Sequence, residues 1–586
     1  MCGIAGIFNL DGKPVAINTL KDMTDVIAHR GPDGEGFWTD SFVGFGHRRL
    51  AIIDLTPRGH QPMRNDEGNL TITYNGEVYN FRELRRELEG KGYTFKSDTD
   101  TEVVLKAYEE WGRGCLDRLN GMFAFAVWDA RSQEIFVARD RYGIKPVYYY
   151  FANNLLVFAS EVKSILRHPD ISARVCVPAL NEYFSFQNIF TDLTLFDGIK
   201  LLPAGHWLSA RLGDASSLRT QKYWDFHFED GDERSEQECM EELAARFDEA
   251  VRRQMVSDVE VGAYLSGGMD SGAVTCVAAS QFKHIKTFTC GFDLSSASGI
   301  EIACDEREKA EFLSNLYKTE HYEAVLKAGD MERVMPELIW HLEDLRVGQC
   351  YPNFYVSRLA GKFVKVVLGG SGGDELFAGY PWRYYTAVVN DNSEQYMEKY
   401  YRYWQRLIPD RLKQSFFQSD LHPGIEAHPT IDVFRNVMGP QPFEVSTPEE
   451  YVNRSLYFEI KTFMHGVLAV EDKLSMSHGL ESRVPFLDND LVEFAMKIPV
   501  RHKLRDLKDI KRLNENEPGP KTKKYFSQTN DGKIILRKAL NKYVPQDYTE
   551  GLKQGFSAPD GSWFRGERDH GRHLPDRGCR RPAERA

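Results

Sequence analysis

The 586-residue chain is short of three things, and each shortage excludes a class of protein. No stretch approaches the ~18 apolar residues of a membrane-spanning helix, and the first residues lack the basic segment and apolar core of a signal peptide. A soluble, cytoplasmic protein is expected. Cysteine is sparse: Cys2, Cys115, Cys176, Cys239, Cys276, Cys290, Cys304, Cys350 and Cys579, nine in all with no C-x-x-C pair. An odd number at that spacing argues against both a disulfide framework and a structural zinc site. Positive charge is in deficit, 74 Lys plus Arg against 86 Asp plus Glu, a formal net charge of −12. The whole molecule therefore repels phosphate backbones and anionic bilayers, so no nucleic-acid or membrane partner is expected. Any nucleotide has to be gripped by local geometry.

What is present is an ordinary globular balance, 42% hydrophobic and 27% charged, over a length that suits roughly two to four domains. Up to about residue 165, short apolar or alternating runs predict strands at Cys2–Phe8, Phe42–Ile53, Leu70–Tyr74, Gly121–Trp128, Glu134–Arg139 and Leu155–Ala159. Helical patterns over Phe81–Glu89 and Thr101–Trp111 interrupt them, the second after a capping cluster at Asp98–Asp100. An α+β sandwich of sheets and helices follows. Aliphatic residues thin out around Arg211–Asp230, which predicts a linker at 209–235 between a first domain over 2–208 and a second over 236–566. In the second, strand-like runs Val259–Leu265, Lys286–Phe292 and Phe363–Leu368 alternate with helical stretches, as in a doubly wound α/β parallel sheet. From about Asp391 the pattern is mainly helical. Residues 567–586 hold six Arg and almost no aliphatic side chain beyond Leu574, the composition of a disordered tail.

Removal of the initiator methionine would leave Cys2 with a thiol and a free α-amino group on one residue. Their reference pKa values, about 8.5 and about 7.7–8.0, make proton transfer between them nearly balanced at neutral pH. Alone, Cys2 reads first as a small residue opening an edge strand. Its surroundings change the weighing: His29–Gly34, Gly46–Leu50, Tyr74–Asn80 and Asp98–Glu102 all fall at strand ends or turns, where sites are built.

Together these segments resemble the glutaminase domain of the class II, N-terminal-nucleophile glutamine amidotransferases, an αββα sandwich. Matched residue by residue, the resemblance implies that Cys2 attacks the glutamine amide. Asn75 and the Gly76 N–H would form the oxyanion hole, Arg49 would hold the substrate carboxylate and Asp100 its ammonium group, with Glu77 also in the glutamine set. Singly, Arg49 reads as a surface cation, Asn75-Gly76 as a hairpin turn and Asp100 as a helix cap; the combination with Cys2 carries the functional reading.

In the second half, Leu265-Ser266-Gly267-Gly268-Met269-Asp270-Ser271 follows a strand and leads into a helix, an anion site made of backbone N–H groups and a helix N-terminus. It lacks the Gly-Lys-Ser/Thr ending of a Walker A loop and resembles the pyrophosphate loop of ATP pyrophosphatases. A second loop, Gly369-Gly370-Ser371-Gly372-Gly373-Asp374-Glu375, follows another apolar run. Both at carboxyl ends of parallel strands favour one shared site, with ATP as co-substrate and Asp270 and Asp374 on Mg²⁺. Leu265 and Cys290 would offer backbone contacts to the nucleotide, and Lys533, by match to the family, would reach pyrophosphate. For Glu471, Asp472, Arg483 and Asp488 two readings stand: part of a site, or an internal ion network.

From Cys2 to about Phe564 the chain resembles the glutamine-hydrolysing asparagine synthetase family. The resemblance implies ammonia release at the first site, an acyl-adenylate of aspartate at the second, a homodimer, and a path for ammonia lined by apolar strands of both domains. Two departures qualify it. Ser371 stands where asparagine-forming members commonly carry glutamate, which opens the acceptor to another small carboxylic acid such as a sugar or peptide acid, and points to Glu343 or Asp344 for a carboxylate. The unusual carboxyl end motivates a rival of another class, a glutaminase with an impaired synthetase half serving as a regulatory scaffold.

Overall fold

The computed structural model describes residues 2–229, 233–295, 305–346, 350–384, 392–439, 447–505, 531–550, 558, 559 and 563. The first half holds twelve strands among these residues. They are β1 (Gly3–Asn9), β2 (Gly34–Asp40), β3 (Val43–Arg49), β4 (Met63–Arg64), β5 (Leu70–Val78) and β6 (Gly121–Asp129), then β7 (Glu134–Arg139), β8 (Tyr148–Ala152), β9 (Leu155–Ala159), β10 (Ile199–Leu201), β11 (His206–Arg211) and β12 (Asp214–Lys222). They form two six-stranded sheets, ordered β10-β8-β9-β1-β3-β2 and β12-β11-β7-β6-β5-β4.

Alternation along β1 shows why the sheets stack. Ile4 and Phe8 face Ala126, Trp128 and Val137 of the other sheet, while Ala5 and Ile7 face Leu20 and Met23 of the helix Ile17–Asp25. Ile72 and Tyr74 of β5 likewise share a core with Leu84 and Leu88 of the helix Phe81–Gly90 and with Val103 and Val104 of Asp100–Trp111. Two sheets face each other with helices outside both, which is the αββα sandwich.

The linker expected from residue 209 begins later. Residues 209–211 finish β11, and 214–222 form β12, paired antiparallel to it. The strand escaped notice because it is an edge strand with no buried residue, so it shows no apolar alternation. The expected tail at 567–586 lies outside the described residues.

The second half is built on β13 (Val261–Tyr264), β14 (Lys286–Phe292), β15 (Glu320–Leu326), β16 (Val366–Leu368) and β17 (Glu481–Arg483), all parallel and ordered β15-β14-β13-β16-β17. The chain winds outward on one side of β13, then returns to β16 on the other. That reversal opens a crevice at the carboxyl ends of β13 and β16, the place where open sheets bind ligands. The strands β15 and β17 were not expected: the first is mostly polar and exposed, and the second has three residues, two of them charged. Beyond β16 the described chain is mainly helical, packed around Tyr396, Tyr400, Trp404, Phe434 and Phe458. All seven described cysteines are free thiols.

Candidate active sites

The thiol of Cys2 lies at the start of β1, buried, with Sγ 4.0 Å from the Leu50 carbonyl. Burial pushes it above the ordinary cysteine value, so at neutral pH it needs a base to become a nucleophile. The Cys2 N–H donates to Asn75 Oδ1 at 2.9 Å. This fixes the asparagine amide with its other end, Nδ2, buried and without a hydrogen-bond partner among the described residues. An unsatisfied buried donor beside a nucleophile is the form an oxyanion hole takes before substrate arrives. Gly76 also lines the pocket, and no side chain is possible there: a Cβ would lie 2.2 Å from the Met122 carbonyl oxygen of β6.

Charge selection sits around the same pocket. Arg49, at the end of β3, donates from Nη1 to the Thr56 carbonyl at 2.9 Å and from Nη2 to the Asp54 carbonyl at 2.5 Å. Two neutral carbonyls orient the guanidinium without neutralising it. Asp100 opens the helix Asp100–Trp111, whose cap is Thr99, and its Oδ2 accepts from Tyr74 Oη at 2.6 Å and Val78 N at 3.0 Å. Burial pushes its carboxyl up to about 6 despite these donors. The pocket thus brings Cys2, Arg49, Gly76, Glu77 and Asp100 together.

One wall was not foreseen. Glu481, on β17 of the other domain, also lines the pocket. Its Oε1 accepts from Arg483 Nε at 2.6 Å, and Arg483 Nη2 reaches Glu77 Oε2 at 3.4 Å. Burial would raise Glu481, but the chain's amino-terminal charge, Arg483 and Lys145 bring it down to about 2. Glu77 goes the other way: burial and the nearby Asp100 raise its carboxyl. A Glu-x-Arg strand three residues long gives no sequence signal that it reaches across to a distant pocket.

At the sheet crevice, the loop after β13 is tied by its own hydroxyls. Ser266 N donates to Ser271 Oγ at 3.1 Å, the two hydroxyls are 2.8 Å apart, and Gly268 N donates to Ser266 Oγ at 3.1 Å. Gly268 then caps the helix Met269–Gln281. The second loop lies directly against the first: a Cβ on Gly370 would come within 2.9 Å of Ser271 N, and one on Gly373 within 3.1 Å of Asp270 Cγ. Gly372 has φ 104°, a backbone state that favours glycine.

Lys533, buried, places Nζ 2.5 Å from both Asp270 Oδ2 and Asp374 Oδ1. Burial lowers its basicity, yet the two acids more than offset this and raise it. Asp270 Oδ1 is buried without a hydrogen-bond partner among the described residues. Two convergent carboxylates with a spare oxygen fit Mg²⁺, which takes one or two protein carboxylates and completes its shell with water and phosphate oxygens.

A cleft of about 360 Å³ opens here, lined by Gly267, Gly268, Asp270 and Lys533 together with Lys309, Arg537 and Tyr548. Lys309 and Arg537 lie in regular helical sequence, where a cation reads first as a solvated surface charge. Leu265, Cys290 and the residues Gly369–Gly372 do not line this cleft; Leu265 and Cys290 are buried in and after the strands beside it.

Ser371 has a partner. Its Oγ donates to Glu471 Oε2 at 2.7 Å, whereas Glu343 accepts from Val162 N and Lys163 N and pairs with Lys473, and Asp344 pairs with Arg346. The carboxylate at this loop therefore comes from Glu471 and from neither Glu343 nor Asp344. Asp472, Arg483 and Asp488 each sit in ion pairs, and those of Asp472 and Arg483 cross between domains. Asp472 takes Arg30 at 2.9 Å and Lys145 at 3.4 Å, while Asp488 takes Arg253 at 2.9 Å and a hydrogen bond from Asn120 at 3.0 Å.

The glutamine amidotransferase domain family matches residues 1–224, and the asparagine synthase family matches residues 242–582. Glutamine-hydrolysing asparagine synthetase 1 of Bacillus subtilis is 31% identical, over 97% of this chain and 88% of that protein. Asparagine synthetase 3 of the same organism is 33% identical over 93% and 85%. The amidase chry2 of Gibberella zeae is 29% identical over 96% and 90%. The chain belongs to the asparagine synthetase family, with a glutamine amidotransferase domain ahead of its asparagine synthase domain.

Proposed function

We propose that this protein makes asparagine from aspartate, with ammonia drawn from glutamine and ATP split to AMP and pyrophosphate. The observation that supports it most is the set of groups around Cys2: an amide bonded to its nitrogen with a donor left without a partner among the described residues, and a guanidinium held only by carbonyls that shares one pocket with a carboxylate. A free zwitterionic amino acid with a side-chain amide matches all three.

In this reading Met1 is removed and the Cys2 nitrogen becomes an α-amine that takes the thiol proton. Sulfur attacks the glutamine amide carbon while Asn75 Nδ2 and the Gly76 N–H receive the oxyanion. The tetrahedral species collapses, ammonia leaves with the proton, and water later cleaves the thioester to glutamate. Arg49 and Asp100 hold the two charged ends of glutamine.

At the second site the loop 266–271 and the N-terminus of the helix Met269–Gln281 cradle phosphate, and Lys533 meets the departing pyrophosphate. Asp270 and Asp374 would hold Mg²⁺, which supplies charge neutralisation for the phosphates when bound. The acid's carboxylate attacks the α-phosphorus, pyrophosphate leaves, and ammonia then displaces AMP from the acyl carbon. A cytoplasmic homodimer is the expected assembly.

A second reading keeps the chemistry and changes the acid. Ser371 in the second loop favours it, as does the similarity to a relative named as an amidase. Purified protein with glutamine, Mg·ATP and a panel of acids separates the two. Aspartate-dependent pyrophosphate release with asparagine formed supports the first; release only with another acid selects the second. Glutamate with no pyrophosphate from any acid would instead mark a glutaminase with an impaired partner domain.

A further inference from the structure

We propose that Glu471, held in place by the Ser371 hydroxyl, is the base that takes the proton from ammonia as it attacks the activated acid. The inference rests on the reading that the second site joins ammonia to an acyl-adenylate.

Amide formation from ammonia must shed one proton per turnover, and in an enclosed site a protein group has to receive it. Glu471 is placed to do so. It is half-buried on the helix His465–Met476, with Oε2 accepting from Ser371 Oγ at 2.7 Å and Oε1 accepting from Ser482 Oγ. Among the described residues no lysine, arginine or histidine pairs with it. A carboxylate partnered only by hydroxyls has lost water without gaining a cation, and the enclosing protein raises its proton affinity above that of an ordinary glutamate. The titratable groups facing it are Asp472 on its own helix, Lys145 from the first domain and Tyr264 at the end of β13.

Position supports the role as strongly as chemistry. A Cβ on Gly369 would stand 2.7 Å from Glu471 Oε1, so any side chain there would push the carboxylate from its place. The carboxylate is thus packed onto the second loop, whose next residue, Gly370, abuts Ser271 of the first. Neighbouring helix residues point about 100° apart, so while Glu471 faces this loop Asp472 faces the first domain. There Asp472 takes Arg30, whose Nε donates to the Cys2 carbonyl at 3.2 Å. Through Asp472 and Arg30 on one side and Gly369 and Gly370 on the other, Glu471 and Ser371 stand between Cys2 and the loop 266–271.

The step balances as follows. The nitrogen lone pair forms the C–N bond and the carbonyl electron pair moves to oxygen. One N–H proton passes to Glu471, and collapse breaks the bond to the AMP oxygen, which leaves with its electron pair. Glu471 returns the proton to water before the next turnover.

The test uses the full-length enzyme with ammonium chloride and Mg·ATP, and takes whichever acid of the panel drives pyrophosphate release in the wild type. Amide and pyrophosphate are followed between roughly pH 6.5 and 9.5. Glu471→Gln should lower multiple-turnover amide formation about 100-fold near neutral pH while the first-turnover burst of pyrophosphate, which precedes ammonia attack, keeps its wild-type rate, and the deficit should shrink as pH rises. Glu471→Asp should recover part of the loss. A wild-type amide rate and pH profile in Glu471→Gln would overturn the proposal, as would an equal loss of the first-turnover pyrophosphate burst in the Gln and Asp variants. Glutamine hydrolysis at Cys2, measured in the same samples, reports folding. Should Glu471→Gln lose it, Ser371→Ala decides, since it keeps the carboxylate but frees it: a slowed amide step behind a wild-type pyrophosphate burst supports the proposal and a wild-type amide rate overturns it. A wild type that releases pyrophosphate with no acid at all overturns both this inference and the reading beneath it.

Discussion

Cys2 and Asp100 carry the sharpest consequences for single residues. Cys2→Ala removes the sulfur while leaving the second domain untouched, so glutamine-dependent amide formation should vanish and ammonium-dependent formation should persist near the wild-type rate. Asp100 makes the pH dependence of glutamine binding specific. Its carboxyl, pushed up to about 6 by burial, is ionised above that pH and protonated below it. As pH falls through 6 the substrate ammonium loses its counter-charge, and KM for glutamine should rise about tenfold per pH unit. Asp100→Asn should show a high KM with no such slope. A wild-type KM that stays flat between about pH 5 and 6.5 would remove Asp100 from the binding role.

Among the elements, the short strand β17 does more than its length suggests. Its Arg483 is fully buried, donates to the Gln254 and Val256 carbonyls at 2.6 and 2.7 Å, and balances Glu481 and Glu77. On the other side the Arg483 carbonyl accepts from Gly369 N at 2.8 Å, so one strand touches both the Cys2 pocket and the second glycine loop. Arg483→Met should destabilise the protein by about 3–5 kcal/mol in denaturant titration, because two carboxylates lose a buried counter-charge. Glutamine hydrolysis should fall with it, and Glu77→Gln in the same chain should restore part of the stability.

The elements also show what the sequence could and could not reveal. Cys2, Asn75-Gly76 and the two glycine loops were legible because each is a local pattern whose chemistry needs contiguous residues. Glu471 with Ser371 and Arg483 with Glu77 were not, being far apart in the chain and joined only by the way β16 and β17 lie in the sheet. The edge strand β12 read as linker because an exposed polar strand carries no apolar period, and β17 was too short to show one.

For the molecule as a whole, the two halves share buried structure. One hydrophobic core runs from Leu50, Tyr74 and Val78 of the first domain through Val261, Val484 and Phe486 of the second. Buried ions cross the same boundary, Arg30 and Lys145 on Asp472 above all. The boundary between the halves is therefore held by buried charge as well as by apolar packing. Asp472→Asn leaves Lys145 without its carboxylate and Arg30 with Glu161 alone, and should destabilise the protein by about 3 kcal/mol. It should also resolve the calorimetric melt into two transitions, where the wild type shows one.

The coupling of the two halves is tested most directly by isotope. The enzyme is run with glutamine carrying ¹⁵N in its amide, Mg·ATP and aspartate, or the acid that replaces aspartate, in a bath of excess unlabelled ammonium. Nitrogen handed on inside the molecule should appear as amide product enriched far above the bulk pool, with one pyrophosphate per amide. Product carrying only the isotope ratio of the bulk ammonium would contradict the account.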